Sequence, residues 1–323
     1  MSYAIRIYEH GGPEVMKWEE IPLQEPGPGE VRLKQTAIGL NFIETRQRSG
    51  VYKVPLPGSI GMEACGIVED IGEGVTEVKA GDRVAYAMGA PGSYTESRII
   101  ESKRLILVPD WVTDEQAAAV IMKGLTAVYL ITRTFKVEKG HTVLFHAAAG
   151  GVGLIICQLL KEIGATVIGT VSSDEKAELA KTHGCDYPII YTRENFAERV
   201  KEITNGAGVP VVYDAVGAAT FEGSFDSLAP LGLFASFGAA SGPIPPIELG
   251  MLQSKGSLYA TRPTLATHTA KREDMLSLAD DVFQAVKRGL KIDINQRFAL
   301  KDAIEAHRAI EGRRTTGSTV FTV

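Results

Sequence analysis

The feature that most constrains the fold of this chain is the stretch at residues 142–171. It opens with a short apolar run, Thr142-Val143-Leu144-Phe145-His146-Ala147, passes through the turn Ala148-Ala149-Gly150-Gly151-Val152-Gly153, and continues in a helical pattern. Val152, Ile155, Ile156, Leu159, Leu160 and Ile163 recur at the spacing of one helix face, so that stripe must be buried. Gly164 ends the helix, and residues 166–171 read as a second, β-branched strand. Strand, glycine turn, helix and strand in this order make a βαβ unit. Its helix N-terminus, at Gly150, Gly151 and Val152, presents backbone N–H groups to an anion, for which a dinucleotide pyrophosphate is the expected candidate. The G-x-G-x-x-G frame finds alanine, Ala148, at its first glycine position, and a lone degenerate turn is also compatible with an ordinary tight turn. The two strands and the helix between them favour the nucleotide reading.

At 323 residues the chain is long for one core, so two domains are expected. The net charge of -5 is spread along the chain, and basic residues cluster no further than pairs such as Arg313-Arg314, which argues against a nucleic-acid partner. Apolar segments fall short of a membrane span, and Arg6, Glu9 and His10 interrupt the first of them, so neither an anchor nor a signal peptide is expected. Cys65, Cys157 and Cys185 are an odd, scattered set that fits a reduced cytoplasm.

Residues 1–122 read as short strands between glycine and proline turns, with strands at 3–8, 31–37, 66–71, 83–87 and 94–100 and one helical turn at 43–48. This is the pattern of a small β-barrel. Helical patterns at 114–119 and 124–134 leave that unit. Beyond the opening βαβ, strands are expected at 187–191, 210–214, 233–237 and 257–260, with helices at 175–182, 195–204 and 220–229. Six strands with crossover helices form a doubly wound parallel sheet. The tail, with helices at 272–288 and 300–311 and strands at 292–298 and 318–323, is expected to return to the first domain. The expected division is therefore 1–122 with 266–323, and 123–265. Ligand is expected at the carboxyl ends of the sheet strands, in a cleft between the domains.

These residues resemble the medium-chain dehydrogenase/reductase superfamily along the whole chain, and within it the zinc-free quinone oxidoreductases, the group that includes zeta-crystallin. The matching stretches are Gly39-Leu40-Asn41-Phe42, Gly61-Met62-Glu63-Ala64-Cys65-Gly66-Ile67-Val68, Gly81-Asp82-Arg83-Val84, Lys123-Gly124-Leu125-Thr126-Ala127, residues 147–153 and Thr261-Arg262-Pro263. The resemblance implies a GroES-like catalytic domain, a Rossmann nucleotide-binding domain, an NADPH-dependent reductase and a homodimer. Zinc-dependent relatives place a histidine where this chain has Met62 and a cysteine where it has Asn41, and hold a structural zinc with four cysteines. With three cysteines in the chain that second site cannot form, so no metal is expected.

Cofactor choice depends on the end of the second strand, where NAD enzymes place an acidic residue against the ribose hydroxyls. Here the chain continues Ser172-Ser173-Asp174-Glu175-Lys176, and two hydroxyls with a lysine suit a 2′-phosphate. Ser172 with Glu175 also reads as a capping box, and Asp174 would oppose a phosphate if it faced one. The resemblance implies that Lys176, Tyr191 and Arg313 surround the phosphate, that Asn41, Thr126, Phe237 and Gly238 lie near the nicotinamide, and that Asn41 and Tyr52 serve catalysis, with Tyr52 beside the acceptor. As ordinary structure, Asn41 is a turn residue, Thr126 a helix cap and Tyr52 a loop residue. Arg46 stands where relatives often have tyrosine, which suits an anionic or polar acceptor. The expected reaction is hydride transfer from NADPH to a quinone. The rivals are reduction of an alkenal or enoyl double bond with the same cofactor, and an NADPH-binding structural or RNA-binding protein without turnover.

Overall fold

A computed structural model describes all residues from Met1 to Val323. From the N-terminus the chain runs β1 (Ser2–Arg6), β2 (Lys17–Ile21), β3 (Glu30–Leu40), α1 (Phe42–Arg48), β4 (Glu63–Ile71), β5 (Arg83–Ala87), β6 (Ser97–Glu101), β7 (Ile106–Leu107) and α2 (Asp114–Tyr129). It continues through β8 (Thr142–His146), α3 (Gly151–Ile163), β9 (Thr166–Val171), α4 (Asp174–Thr182), β10 (Tyr187–Ile190) and α5 (Phe196–Ile203). Next come β11 (Val209–Asp214), α6 (Phe221–Asp226), β12 (Leu228–Ser236), α7 (Leu249–Ser254), β13 (Tyr259–Thr261) and α8 (Leu265–His268). The chain closes with α9 (Arg272–Lys287), β14 (Ile294–Ala299), α10 (Ala303–Glu311) and β15 (Ser318–Thr322).

Two compact units result. One comprises Met1–Leu125, Thr269–Val286 and Ile292–Val323; the other comprises Thr126–His268 with Lys287–Lys291. In the first, β14, β15, β3, β4, β5 and β7 are hydrogen-bonded in that order, with β6 also on β3, while β1 and β2 pair separately. The long strand β3 carries this sheet, because Val31 and Leu33, and Ile38 beyond a register shift at Gln35–Ala37, enter a core with Ile5, Ile60, Val84, Tyr94 and Phe321. The last strand, β15, lies antiparallel on β3.

The second unit is a six-stranded sheet in the order β10-β9-β8-β11-β12-β13, with every pairing parallel. The order reverses between β8 and β11, the switch point where such sheets take ligand at their carboxyl ends. Helix α3 buries Ile155, Ile156, Leu159 and Leu160 as its periodicity predicts, together with Leu154 and Cys157. Val152 and Ile163, at its two ends, are half-buried.

The helix expected in two pieces at 114–119 and 124–134 is instead continuous through Gly124 as α2, followed by a wider turn at Leu130–Thr134. A Cβ on Gly124 would stand 2.7 Å from Val282 Cγ1 of α9, so this glycine is a contact surface for a second helix rather than a break. The stretch Asp114–Thr134 is long and apolar enough to span a membrane, and 72% of its apolar window is buried. The strand β2 and the two-residue β7 were not expected, and the helix expected at 220–229 stops at Asp226 because Leu228 already pairs with Val209 as the start of β12.

Candidate active site

The glycine turn leaves β8 with Ala147 at φ 61°, a left-handed conformation that a non-glycine residue adopts only under constraint. The constraint is visible: Gly150 N–H donates to the Ala147 carbonyl at 2.9 Å, and Ala148 N–H to the Thr170 carbonyl of β9 at 3.1 Å. Alanine at the first motif position fits because the neighbouring strand has a glycine opposite: a Cβ on Gly169 would fall 2.6 Å from the Ala148 methyl carbon. Gly153 is needed for helix–strand approach, since a Cβ there would lie 2.4 Å from the Ala147 carbonyl oxygen. The α3 N-cap, Gly150, contributes no side-chain cap, the first turn carries no acidic residue, and Leu154 N–H reaches back to the Gly150 carbonyl at 2.9 Å. The N–H groups of Gly151 and Val152 therefore have no acceptor within the helix, and the positive end of its dipole is uncapped. That donor set fits a dinucleotide pyrophosphate.

Behind the turn, sealed from solvent, Asp214 accepts from Thr220 Oγ1 at 2.6 Å and from Ser224 Oγ at 3.0 Å, and His146 lies between Ser224 Oγ (3.0 Å) and Thr170 Oγ1 (2.9 Å). Burial lowers the His146 pKa. The group is complete and inaccessible, so it stiffens the ends of β8, β9 and β11 rather than reacting.

At the end of β9 the helix α4 is capped by Ser173, whose hydroxyl accepts from Lys176 N–H at 3.4 Å. The cap expected at Ser172 thus falls one residue later, and Ser172 instead uses its carbonyl to accept from Thr192 Oγ1 at 3.2 Å. Tyr191 N–H donates to the Val171 carbonyl at 3.1 Å, so residues 191–192 run across the end of β9. Asp174 is gripped by Arg193 through two bonds, Nη1 to Oδ1 at 2.9 Å and Nη2 to Oδ2 at 2.5 Å. Ser172, Ser173, Lys176 and Tyr191 are therefore gathered on one edge. The Asp174 carboxylate, paired with Arg193, is not left free there.

At the end of β12, Phe237 and Gly238 N–H groups donate to the Asp214 carbonyl at 2.8 and 3.3 Å, and Phe237 packs on Phe145. A Cβ on Gly238 would lie 2.5 Å from the Ala215 carbonyl oxygen. Arg262 donates through Nη1 to Ser236 Oγ at 2.7 Å and to the Gly238 carbonyl at 2.6 Å, a clamp on the strand end. Sequence reasoning noted Thr261-Arg262-Pro263 only as a matching motif; the charge in an otherwise apolar strand end was the signal. Thr126 lies in the second half of α2.

The first unit holds Asn41, Tyr52 and Arg313. Asn41 is the N-cap of α1, and its surroundings form a buried polar cluster. Its Nδ2 donates to Glu63 Oε1 at 2.8 Å, while its backbone N–H donates to Glu44 Oε2 at 2.6 Å. Lys123 Nζ donates to the same Glu63 Oε1 at 2.6 Å, and Met122 N–H to Glu63 Oε2 at 2.8 Å. Glu44 and Glu63 are fully buried, and the ion pair of Lys123 is with Glu63. Burial, followed by the Glu63 charge, pushes Glu44 up to about 8, so it holds its proton at neutral pH. Asn41 thus closes a capping box with Glu44 at the start of α1 while its amide N–H is directed at Glu63. Tyr52 is 41% exposed, and its N–H donates to the Arg46 carbonyl at 3.0 Å; the Arg46 guanidinium lies over the Phe42 ring. Arg313 is exposed on a left-handed turn after α10.

No three His, Cys, Asp or Glu side chains are grouped to hold a metal ion. Met62 Sδ accepts from Gln47 Nε2 at 3.0 Å, and the three cysteines are free and buried.

Residues 27–110 match the alcohol dehydrogenase GroES-like domain, and residues 151–281 match the family described as zinc-binding dehydrogenase. A quinone oxidoreductase of Pseudomonas aeruginosa is 51% identical over 323 residues, covering 99% of each chain. The crystal structure of the Escherichia coli quinone oxidoreductase complexed with NADPH superposes with a TM-score of 0.98 at 44% identity, over 99% of this chain and 100% of that one. A 2-haloacrylate reductase of Burkholderia sp is 42% identical, over 99% of each chain. A GroES-like unit with a doubly wound sheet defines a two-domain reductase architecture. The chain belongs to the quinone oxidoreductase family of the medium-chain dehydrogenase/reductase superfamily.

Proposed function

We propose that this protein is an NADPH:quinone oxidoreductase working without zinc, with residues 1–122 and 266–323 as its catalytic domain and 123–265 as its nucleotide domain. The observation that carries the reading is the uncapped α3 N-terminus followed, at the end of β9, by Ser172, Ser173 and Lys176 with no free aspartate. When bound, NADPH supplies the hydride. Gly151 and Val152 hold the pyrophosphate through their N–H groups, with Gly150 as the N-cap against which it lies, and Ser172, Ser173, Lys176, Tyr191 and Arg313 hold the 2′-phosphate. Thr126, Phe237, Gly238 and Asn41 orient the nicotinamide end, so that positioning accounts for the protein's share of the catalysis. Oxidation of NADPH against a panel of quinones and conjugated alkenes tests this, turnover confined to the alkenes being the result that rejects it. A second reading, reduction of a carbon–carbon double bond, is favoured by the similarity to the 2-haloacrylate reductase. A homodimer is supported by the open edge of the sheet at β13, where Tyr259 is 60% exposed, and a cytoplasmic location by the three free cysteines. Neither a nucleic acid nor a membrane is proposed as partner.

Lys176→Ala is expected to weaken NADPH roughly ten- to a hundredfold while hardly changing NADH, because a hydrogen bond to a charged group contributes about 1.5 to 3 kcal/mol. Parallel titrations of the two cofactors check this, and equal weakening would assign the lysine a structural role.

Tyr52 tests the nature of the acceptor. A quinolate product is weakly basic and takes its protons from water, and Tyr52 is itself 41% exposed. Tyr52→Phe should therefore lower kcat by less than about tenfold, under about 1.4 kcal/mol, with the larger change in KM. A loss beyond about a hundredfold, with one limb of the pH–rate profile gone, would make Tyr52 the proton donor and favour the double-bond reading.

A further inference from the structure

We propose that Arg193 is a specificity-determining residue, which selects NADPH over NADH by tying up the Asp174 carboxylate at the end of β9. The inference rests on the NADPH reading and adds to it a residue that does not belong to the phosphate-binding set described above.

Asp174 is the first residue of α4, three positions beyond the last residue of β9, the strand whose end carries the ribose-binding carboxylate in NAD enzymes. A free carboxylate at this place does two things: it accepts hydrogen bonds from the ribose hydroxyls of NADH, and it repels a 2′-phosphate. Arg193 cancels both effects. Its two Nη groups take one oxygen each, 2.9 and 2.5 Å away, in the fork geometry that suits a guanidinium and not an ammonium. The arginine adds a positive charge to the edge that already carries Lys176.

The backbone explains why Arg193 can do this. Tyr191 N–H on the Val171 carbonyl and Thr192 Oγ1 on the Ser172 carbonyl hold the segment across the end of β9, and Arg193 N–H closes a turn onto the Ile190 carbonyl at 2.9 Å. Glu194, which follows Arg193, is likewise engaged, by Arg199 Nε at 3.1 Å and by Ile190 N–H at 3.2 Å. Both side chains of the Asp174–Arg193 pair are largely exposed, at 66% and 61%. Exposed pairs contribute little to folding stability. The pair's effect therefore falls on the charge presented to a ligand, and its variants should fold.

The test is the dissociation constant of NADPH and of NADH, read by quenching of protein fluorescence, for the wild type, Arg193→Ala, Asp174→Ala and the double variant. Arg193→Ala should raise the NADPH Kd about tenfold and leave that of NADH unchanged or lower, because the freed carboxylate opposes the phosphate and becomes available to the ribose hydroxyls. Asp174→Ala alone should not weaken NADPH, and in the double variant the NADPH Kd should return to within about threefold of the wild type. Equal weakening of both cofactors by Arg193→Ala, or a double variant as weak as Arg193→Ala, would overturn the proposal. A wild type that binds NADH as tightly as NADPH would instead overturn the cofactor reading on which it rests.

Discussion

Lys123→Met is expected to destabilise the first unit by about 3 to 5 kcal/mol, the cost of leaving a buried charge without its partner. Lys123 Nζ and Glu63 Oε1 are 2.6 Å apart with the two side chains 6% and 0% exposed, so neither group can recover hydration when the other is removed. The remaining donors to Glu63, Asn41 Nδ2 and Met122 N–H, are dipoles and do not replace an ammonium. Urea unfolding of the wild type and the variant measures the loss. A second variant, Lys123→Met with Glu63→Leu, should be less destabilised than Lys123→Met alone, because it buries no charge. A loss below about 1 kcal/mol in Lys123→Met would show that the pair is solvated rather than sealed.

The second large effect is a dependence of stability on pH that Glu44→Gln should abolish. Glu44 is pushed up to about 8 in the fold, first by burial and then by Glu63, whereas an unfolded glutamate titrates near 4.3. The folded state thus binds this proton more tightly than the unfolded state. Its stabilisation is fully present below about pH 4.3 and is lost as pH rises towards 8, by roughly 1 kcal/mol per pH unit across that window. Glutamine is a fixed analogue of the protonated side chain, and its carbonyl can still accept from Asn41 N–H. The variant should therefore exceed the wild type in stability by on the order of 3 kcal/mol at pH 8, with the advantage shrinking towards pH 5. Unfolding curves at these two pH values decide the matter, since a constant difference between the proteins would mean that Glu44 is ionised throughout.

Both predictions come from a cluster that sequence reasoning did not assemble, although it singled out Asn41 and quoted Glu63 and Lys123 within motifs. Glu63 lies 22 positions from Asn41 and 60 from Lys123, and no local pattern says that charged residues so far apart will meet inside a core. What was legible followed short-range rules. The strand–turn–helix–strand at residues 142–171 combines two periodicities and a helix stop, and it placed β8, α3 and β9. The doubly wound order follows from alternating strands and helices with right-handed crossovers. Errors arose where a distant partner changed a local preference. Gly124 reads as a break until Val282 of α9 is set against it, and β2 has too little apolar alternation to announce itself before β1 pairs with it. Asp174 was ambiguous for the same reason, because the arginine that settles its direction is 19 positions away, beyond another strand.

The meeting of Ala148 with Gly169 has a consequence for recognising such turns. Counted along the chain, this dinucleotide motif has lost a glycine. Measured in space it has lost nothing, because the empty volume has moved from the turn to the strand beside it. Adding a methyl at residue 169 would put it 2.6 Å from the Ala148 methyl carbon and equally close to Cys185 Sγ, so the space left open on the strand is filled from both sides. The signature is a shape shared between β9 and the turn after β8, and a linear pattern sees only one of the two segments that form it.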